Sequence, residues 1–550
     1  MSSAPAGPTT VALRTPPPPA AEVEEAEAAP EPRRAAAVDE RRPLRLEIAL
    51  DPGAVARLRR HPAFARSGDG GARSRSVATA RIWYDTAEGT LAGLGLVLEA
   101  PRRGPRRLLR VVPGADAAWH PAAPSDTVES VADGAVPEAV GDAALVPIAA
   151  FDGRSVRLPV AEAYGEAPLE CELLHGRLRA VAAEREVARL GIAGPAGPAL
   201  ALARALAADL PALPARAALA EEGRALARGE ATTRPRRRGA PDLAGVWGVE
   251  DAFAVALGHL LDVMLSQAPL ARMEAGPEGV HQMRVALRRL RSVMKLFRSV
   301  FDGPSLRALD DRLKALADAL GPARDWDVFL DGMARDVAAA LPGERRIAAL
   351  LRAAEARRAA AYGALRETLD GAAFRTLVWD AIALLALRSW RAEAPDDVEA
   401  AAAREGPLDE FAEGALAKRW RRLLTRGEAL AAAAPDDDEA LHALRLEGKR
   451  MRYAAEVFAP LWPGKPSRRF VKRLAALQEA LGLANDASVA RSLVAGLAAR
   501  GAATSRRSNG HAWAIGVVEG WALTRARRVR GKAMARWEAL MRLDPFWASD

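Results

Sequence analysis

One segment of this chain occurs twice. "HQMRVALRRLRSVMKLF" (His281–Phe297) returns as "HALRLEGKRMRYAAEVF" (His442–Phe458). His281 matches His442, Arg284 matches Arg445, Arg288 matches Lys449, Arg289 matches Arg450, Arg291 matches Arg452 and Phe297 matches Phe458, always 161 residues apart. The same offset carries Arg312 onto Arg473 and Leu320-Gly321 onto Leu481-Gly482. It also carries Asp325 of "LGPARDWDV" onto Asp486 of "LGLANDASV". Chance similarity does not keep register across two separated motifs, so this half of the chain must fold as two homologous units in tandem.

Both units read as helix. Apolar residues recur at three- and four-residue spacing, with breaks at Gly303-Pro304 and Pro435-Asp436. A composition rich in Ala, Leu, Arg and Glu supports this, because those side chains lose little entropy in a helix. Ahead of the repeats the character differs. Residues 1–42 are Pro/Ala/Glu-rich and lack the apolar side chains needed to fold, which predicts a disordered tail. Residues 43–228 predict an α+β domain. Strands are expected at Leu44–Leu50, Ala80–Thr86, Leu94–Ala100, Arg106–Val112 and Leu169–Leu174, and a helix at Ala199–Leu210. A polar Pro/Gly/Arg-rich linker at 229–244 leads into an all-α half at 245–548, its repeats spanning about 245–400 and 405–548.

On a helical wheel, Arg284, Arg288, Arg291, Lys295 and Arg298 fall in one arc to the side of His281. Met283, Leu287, Leu290, Met294, Phe297 and Phe301 fall opposite and are expected in the core. In the second copy His442, Arg445, Lys449 and Arg452 repeat the basic arc with Tyr453 at its edge, while Leu444, Met451 and Phe458 face the core. Arg289 and Arg450 sit on a flank. A charge run is usually a solvated face, but such a face mixes signs at i,i+4 for mutual support. The first stripe carries no acid, and the second admits only Glu456 at its lower end. Like charges at that spacing repel unless an anion compensates them.

Each histidine lies in the first turn of its helix, where capping or an interhelical hydrogen bond is the ordinary role. Neither has a second ligand at metal-binding spacing, so no metal or other cofactor is expected there. Asp325 and Asp486 are expected to accept a hydrogen bond from the basic helix or to start the next helix. A net charge of +9 permits anionic partners. A lone cysteine, Cys171, rules out an intramolecular disulfide and a cysteine-based zinc site. No apolar run reads as a membrane span and the opening residues lack a secretory signal pattern, which predicts a cytoplasmic protein without a membrane partner.

The helical half resembles the CHAD domain, the conserved histidine α-helical domain. The likeness rests on the two His/Arg motifs, "LGPARDWDV", "LQEALGLANDASVA" and the closing "DPFW" (Asp544–Trp547). The resemblance implies two four-helix bundles in pseudo-twofold relation, with the basic helices lining a groove that binds inorganic polyphosphate. It also implies association with cytoplasmic polyphosphate granules. Carried onto this sequence, the groove would comprise His281, Arg284, Arg288, Arg289, Arg291, Lys295 and Arg298 from the first copy, and His442, Arg445, Lys449, Arg450, Arg452 and Tyr453 from the second. Polyphosphate offers repeated charge and no base to stack, which suits forked guanidiniums and ammoniums with few aromatics. Nucleic acid is an alternative polyanion, although the basic faces lack the aromatic platforms of single-strand binders.

Residues 43–228 resemble, more weakly, the CYTH domain, an antiparallel triphosphate tunnel. The likeness rests on "WYDTAEGTLAGLGLVLEA", "LECELLHGRL" and the helical ending. Activity in that family requires an E-x-E-x-K strand holding divalent metal. Here the strand is "RLEIA", with Arg45, Glu47 and Ala49 at the three positions. The next strand has Val97 and Glu99 where arginines are expected, and "ALAEEG" (Ala218–Gly223) lacks the closing Lys and Arg. Glu170 and Glu172 still match family carboxylates. These departures predict a tunnel without catalysis, with a metal-dependent triphosphatase or polyphosphatase as the alternative.

Overall fold

The computed structural model describes residues 43–64, 76–110, 126–130, 136–161, 168–230, 239–273, 276–395, 397–433, 437–501 and 505–548. The expected disordered tail, the middle of the expected linker and the Pro435-Asp436 break lie outside the described residues.

Alternation of side chains along the first strand sets up the N-terminal half. In β1 (Pro43–Leu50) Leu46, Ile48 and Leu50 are buried on one face, while Arg45 and Glu47 take the other. It joins β2 (Ser76–Thr86), β3 (Leu96–Pro101), β4 (Arg107–Arg110), β5 (Asp126–Ser130), β6 (Leu145–Leu158), β7 (Glu170–Arg179), β8 (Glu184–Pro195) and β9 (Ala212–Pro214). The described strands form one antiparallel half-barrel in the order β5-β4-β3-β2-β6-β7-β8-β1-β9, compatible with a CYTH-like tunnel. Sequence periodicity did not locate β5, β6, β8 and β9. In β6 and β8 ("LVPIAAFDGRSVRL" and "EREVARLGIAGP") Ala, Gly and Pro interrupt the alternation that marks a strand.

The two faces of the sheet pack on different partners. Leu46, Ile48, Leu173, Leu190 and Ile192 face helix α1 (Ala196–Asp209) and, through it, the helical half. The opposite face buries Trp83, Val97, Phe151 and Leu178 against Ala218–Ala220, at the start of α2 (Leu219–Ala227). Apolar side chains thus fill part of this second face.

The helical half follows the repeat. The first copy runs α3 (Val249–Arg272), α4 (Glu278–Leu296), α5 (Pro304–Ala319), α6 (Gly321–Phe329), α7 (Arg345–Asp370) and α8 (Ala372–Leu387). The second runs α9 (Leu408–Ala432), α10 (Asp438–Phe458), α11 (Lys465–Gly501) and α12 (Ser505–Met541). The 161-residue offset lays α3 on α9, α4 on α10, α5 and α6 on α11, and α7 with α8 on α12. Two local substitutions explain the extra breaks. Pro322 follows the α5–α6 junction where α11 has Leu483, and Gly371 separates α7 from α8 where α12 has Lys532. Four helices touch their own counterparts, in the pairs α3–α9, α4–α10, α6–α11 and α7–α12. Self-complementary contact of that kind is what a pseudo-twofold axis produces.

One expectation needs correction. Helix α3 is long and apolar enough to cross a membrane by length and composition, at a mean hydropathy of 1.4. It is the core helix of the first bundle, with 72% of that stretch buried against its neighbours. Its all-round apolarity reflects burial on every side.

The halves share one core. Helix α1 packs along α8, and their apolar residues belong to a single continuous cluster. Polar contacts lock the junction: Trp379 Nε1 donates to the Ala212 carbonyl at 3.0 Å, and Arg375 Nε to the Ala207 carbonyl at 2.9 Å. Arg204 and Arg312 both reach Asp380, and Arg216 pairs with the buried Asp262.

Candidate anion-binding groove

The two basic helices meet at the pseudo-twofold axis. Phe297 and its counterpart Phe458 lie 5.9 Å apart there, and the apolar stripes expected from the wheel are buried in both copies. Burying those stripes fixes the rotation of α4 and α10, and so the direction of every cation on them.

The candidate cations divide into two kinds. Arg289 donates to Glu456 at 2.6 and 3.1 Å, and Arg452 donates to the same carboxylate at 2.7 Å. Arg291 is held by Asp310 at 2.6 Å, Arg298 lies 3.9 Å from Asp302, and Arg450 pairs with Glu447. Their positive charge is partly spent within the protein. By contrast, among the described residues Arg284, Arg288, Arg445 and Lys449 have no carboxylate within ion-pair distance. All four are half-buried, and the Nε atoms of Arg284, Arg288 and Arg445 are buried without a hydrogen-bond partner. An unmet buried donor costs about 1–3 kcal/mol.

Electrostatics describe the same cluster. Burial pushes the Lys449 ammonium down to about 7, with Arg288, Arg445, Arg284 and Arg291 pushing the same way. Burial also lowers Arg445, opposed by Asp486, and Arg284, opposed by Asp325. Burial lowers the His281 imidazole, with Arg324, Arg288 and Arg284 acting the same way and Glu278 opposing, which favours its neutral form. Its counterpart His442 is exposed. The duplicated acids take equivalent places beside these arginines, Asp325 near Arg284 and Asp486 near Arg445, and burial raises both carboxyls.

Three cations here were not singled out by sequence. Arg324 stands close to His281, Arg284, Asp325 and Asp486, and its signal lay in "LGPARDWDV" beside Asp325. Arg419 and Arg422 reach the α4 C-terminal end from α9. Their run "AKRWRRLL" was visible, but the offset places Gly258 and Leu261 opposite them, so the repeat gave no pointer.

Glu456 ties the crossing together. Its side chain is only 9% exposed and satisfies two arginines. Glu456→Gln leaves both cations short of their charge partner and should destabilise the fold by about 3 kcal/mol in urea titration. Because it removes negative charge near the groove, polyanion affinity should not fall.

The remaining charges of the N-terminal tunnel are partly paired, and Arg81 lies 3.8 Å from Glu99. Arg189 lies 3.3 Å from Glu47 and also pairs with Glu222 of α2. Trp83 Nε1 donates to Glu99 at 3.0 Å, and Ser155 donates to Glu172. They line a cavity of about 100 Å³ in which burial raises the Glu47 carboxyl. Among the described residues no three acids, histidines or cysteines converge as metal ligands would. Cys171 is buried and its thiol is pushed up to about 12 by that burial, which leaves it unreactive.

Over 188 residues the chain is 32% identical to the uncharacterized protein Rv2226 of Mycobacterium tuberculosis, covering 32% of this chain and 34% of the relative. The chain thus spans about a third of the length of the curated relatives it matches. The crystal structure of the CHAD domain from the plant Ricinus communis is 30% identical, covering 57% of this chain and 98% of that one, with a TM-score of 0.47. PptA from Streptomyces chartreusis is 20% identical, covering 53% and 99%, with a TM-score of 0.41. The CHAD domain family model matches residues 255–495, and that stretch of the chain is a CHAD domain.

Proposed function

We propose that this chain binds inorganic polyphosphate, without processing it, in the groove between α4 and α10, and thereby associates with polyphosphate granules in the cytoplasm. CHAD domains are a polyphosphate-associated family. The observation that carries the reading is the group of Arg284, Arg288, Arg445 and Lys449, brought together from both copies without a carboxylate partner among the described residues. A chain of phosphoryl groups supplies the acceptors those donors lack, at a spacing a line of cations can follow. No aromatic platform is needed, because there is no base to stack.

Competition tests the assignment. Long-chain polyphosphate should displace duplex DNA at matched phosphate concentration, and affinity should fall steeply with salt as counterions are released. Equal competition by DNA would make the groove a general polyanion site.

Lys449 adds a pH signature. With the free ammonium near 7, a phosphoryl group beside it restores its proton, so binding takes up protons above that pH. Affinity should be flat below about pH 7 and decline as pH rises through 7 to 9, and Lys449→Arg should remove the decline. For the apo fold the sign is opposite. The ammonium is disfavoured in the folded state, so stability rises as pH climbs from about 7 towards the ordinary lysine range.

A further inference from the structure

The pseudo-twofold axis exposes a mismatch. Its operation carries Arg289 onto Arg450 and Glu456 onto Lys295. On one side of the α4–α10 crossing an arginine therefore meets a buried carboxylate, at 2.6 Å. On the other side the equivalent partners are both cations, Lys295 and Arg450. Beside them lies a cavity of about 250 Å³, also lined by Arg298, Arg419, Arg422 and the buried Tyr453. No acid lines it. Acids flank the lining: Glu447 pairs with Arg450 and acts on Arg419, while its Oε2 is buried without a partner. Asp310, held by Arg291, acts on Lys295. Asp302 lies 3.9 Å from Arg298. Asp397, Glu399 and Glu410 enter only in the wider cleft of about 730 Å³ that continues outward.

We propose that this lateral pocket is a second anion site, separate from the central groove, which takes a compact anion of two or three linked phosphoryl groups. It rests on the phosphate chemistry proposed above but uses different residues. Five cations against three flanking acids leave net positive charge in a half-enclosed space. A short polyphosphate places several charges in a small volume, and its terminal phosphoryl is the more highly charged end. Arg419 and Arg422 correspond to Gly258 and Leu261 under the repeat, so their charge is present on one side only. That asymmetry gives the otherwise twofold groove a direction. The same chemistry is presented by free tripolyphosphate and by the end of a long chain.

Calorimetric titration of the full chain with tripolyphosphate tests the proposal, with cyclic trimetaphosphate, which has no terminal phosphoryl, as the contrast. Linear tripolyphosphate should bind and the ring should bind at least about tenfold more weakly. Arg419→Gln with Arg422→Gln should weaken tripolyphosphate at least about tenfold and leave long-chain affinity within about threefold. Lys295→Glu, which rebuilds on this side the pair that Glu456 makes on the other, should abolish tripolyphosphate binding and raise Tm. Preloading with long-chain polyphosphate separates the sources: displacement of tripolyphosphate means that a chain end occupies the pocket, and joint binding means a free anion does. Absence of tripolyphosphate binding to the wild type, or unchanged binding in the folded Arg419/Arg422 variant, overturns the pocket. Arg288→Glu with Lys449→Glu should affect only the long chain, so failure of the central groove is read separately.

Discussion

Reversing charge at Arg288 and Lys449 together should abolish polyphosphate binding, by at least about a hundredfold, with helix content unchanged. The two residues are counterparts in the repeat and stand close enough that Arg288 lowers the Lys449 pKa. Neither has a carboxylate partner among the described residues, so the substitutions break no ion pair of the fold. The double variant places two acids between Arg284 and Arg445, which answers within the protein the repulsion that the ligand otherwise answers. Its Tm should therefore hold or rise. The salt dependence supplies an independent reading, since the slope of log affinity against log salt should shrink by about two if both cations meet phosphates. Binding by this variant at wild-type strength would remove the central groove as the site.

Trp379→Ala should cost about 4 kcal/mol in chemical denaturation, the largest loss expected from a single truncation here. Trp379 is 1% exposed in α8, between the helical half and the sheet, and its ring nitrogen satisfies the Ala212 carbonyl at 3.0 Å. Removal leaves a cavity where the halves join and an unmet carbonyl beside it. The continuous core makes a further demand: fluorescence and circular dichroism should report one coincident transition in both the wild type and the variant. A variant in which the sheet melts first while the bundles persist would show that the junction does not couple them.

The helical half was legible because its information is repeated. A constant offset identifies equivalent positions without any knowledge of contacts, and the 3.6-residue period assigns Met283, Leu287 and Phe297 to the core, where they are buried. What the wheel cannot show is the partner of each cation. Arg289, Arg291 and Arg452 read as groove residues alongside Arg284 and Lys449, yet Glu456 and Asp310 claim them. Asp310 comes from the next helix and Glu456 reaches Arg289 from the other copy, which a helical wheel does not contain. The Arg452–Glu456 pair, by contrast, is an i,i+4 contact within one helix that the wheel could show. Arg419 and Arg422 were missed because they break the symmetry that made the rest visible. In the N-terminal half the strands with clean alternation were found, whereas β6 and β8 were hidden by Ala, Gly and Pro, which the sheet accommodates through long-range pairing. The apolar filling on the second face of the sheet was partly visible in Val97, which stands where a phosphate-binding arginine was expected.

Because the central groove lies where equivalent helices meet, neither copy holds a complete site. Half of its cations come from residues 284–288 and half from residues 445–449. A chain with a single copy would have to find its twin before it could bind, at a cost that rises as the protein is diluted. Joining the copies makes that encounter intramolecular, at an effective concentration of about the millimolar range. The linkage also releases the halves from identity, since a homodimer cannot place glutamate at one position and lysine at its mate. Glu456 and Lys295 are such a pair. Duplication thus let one half of a symmetric interface stiffen the fold while the other kept its charge for a ligand.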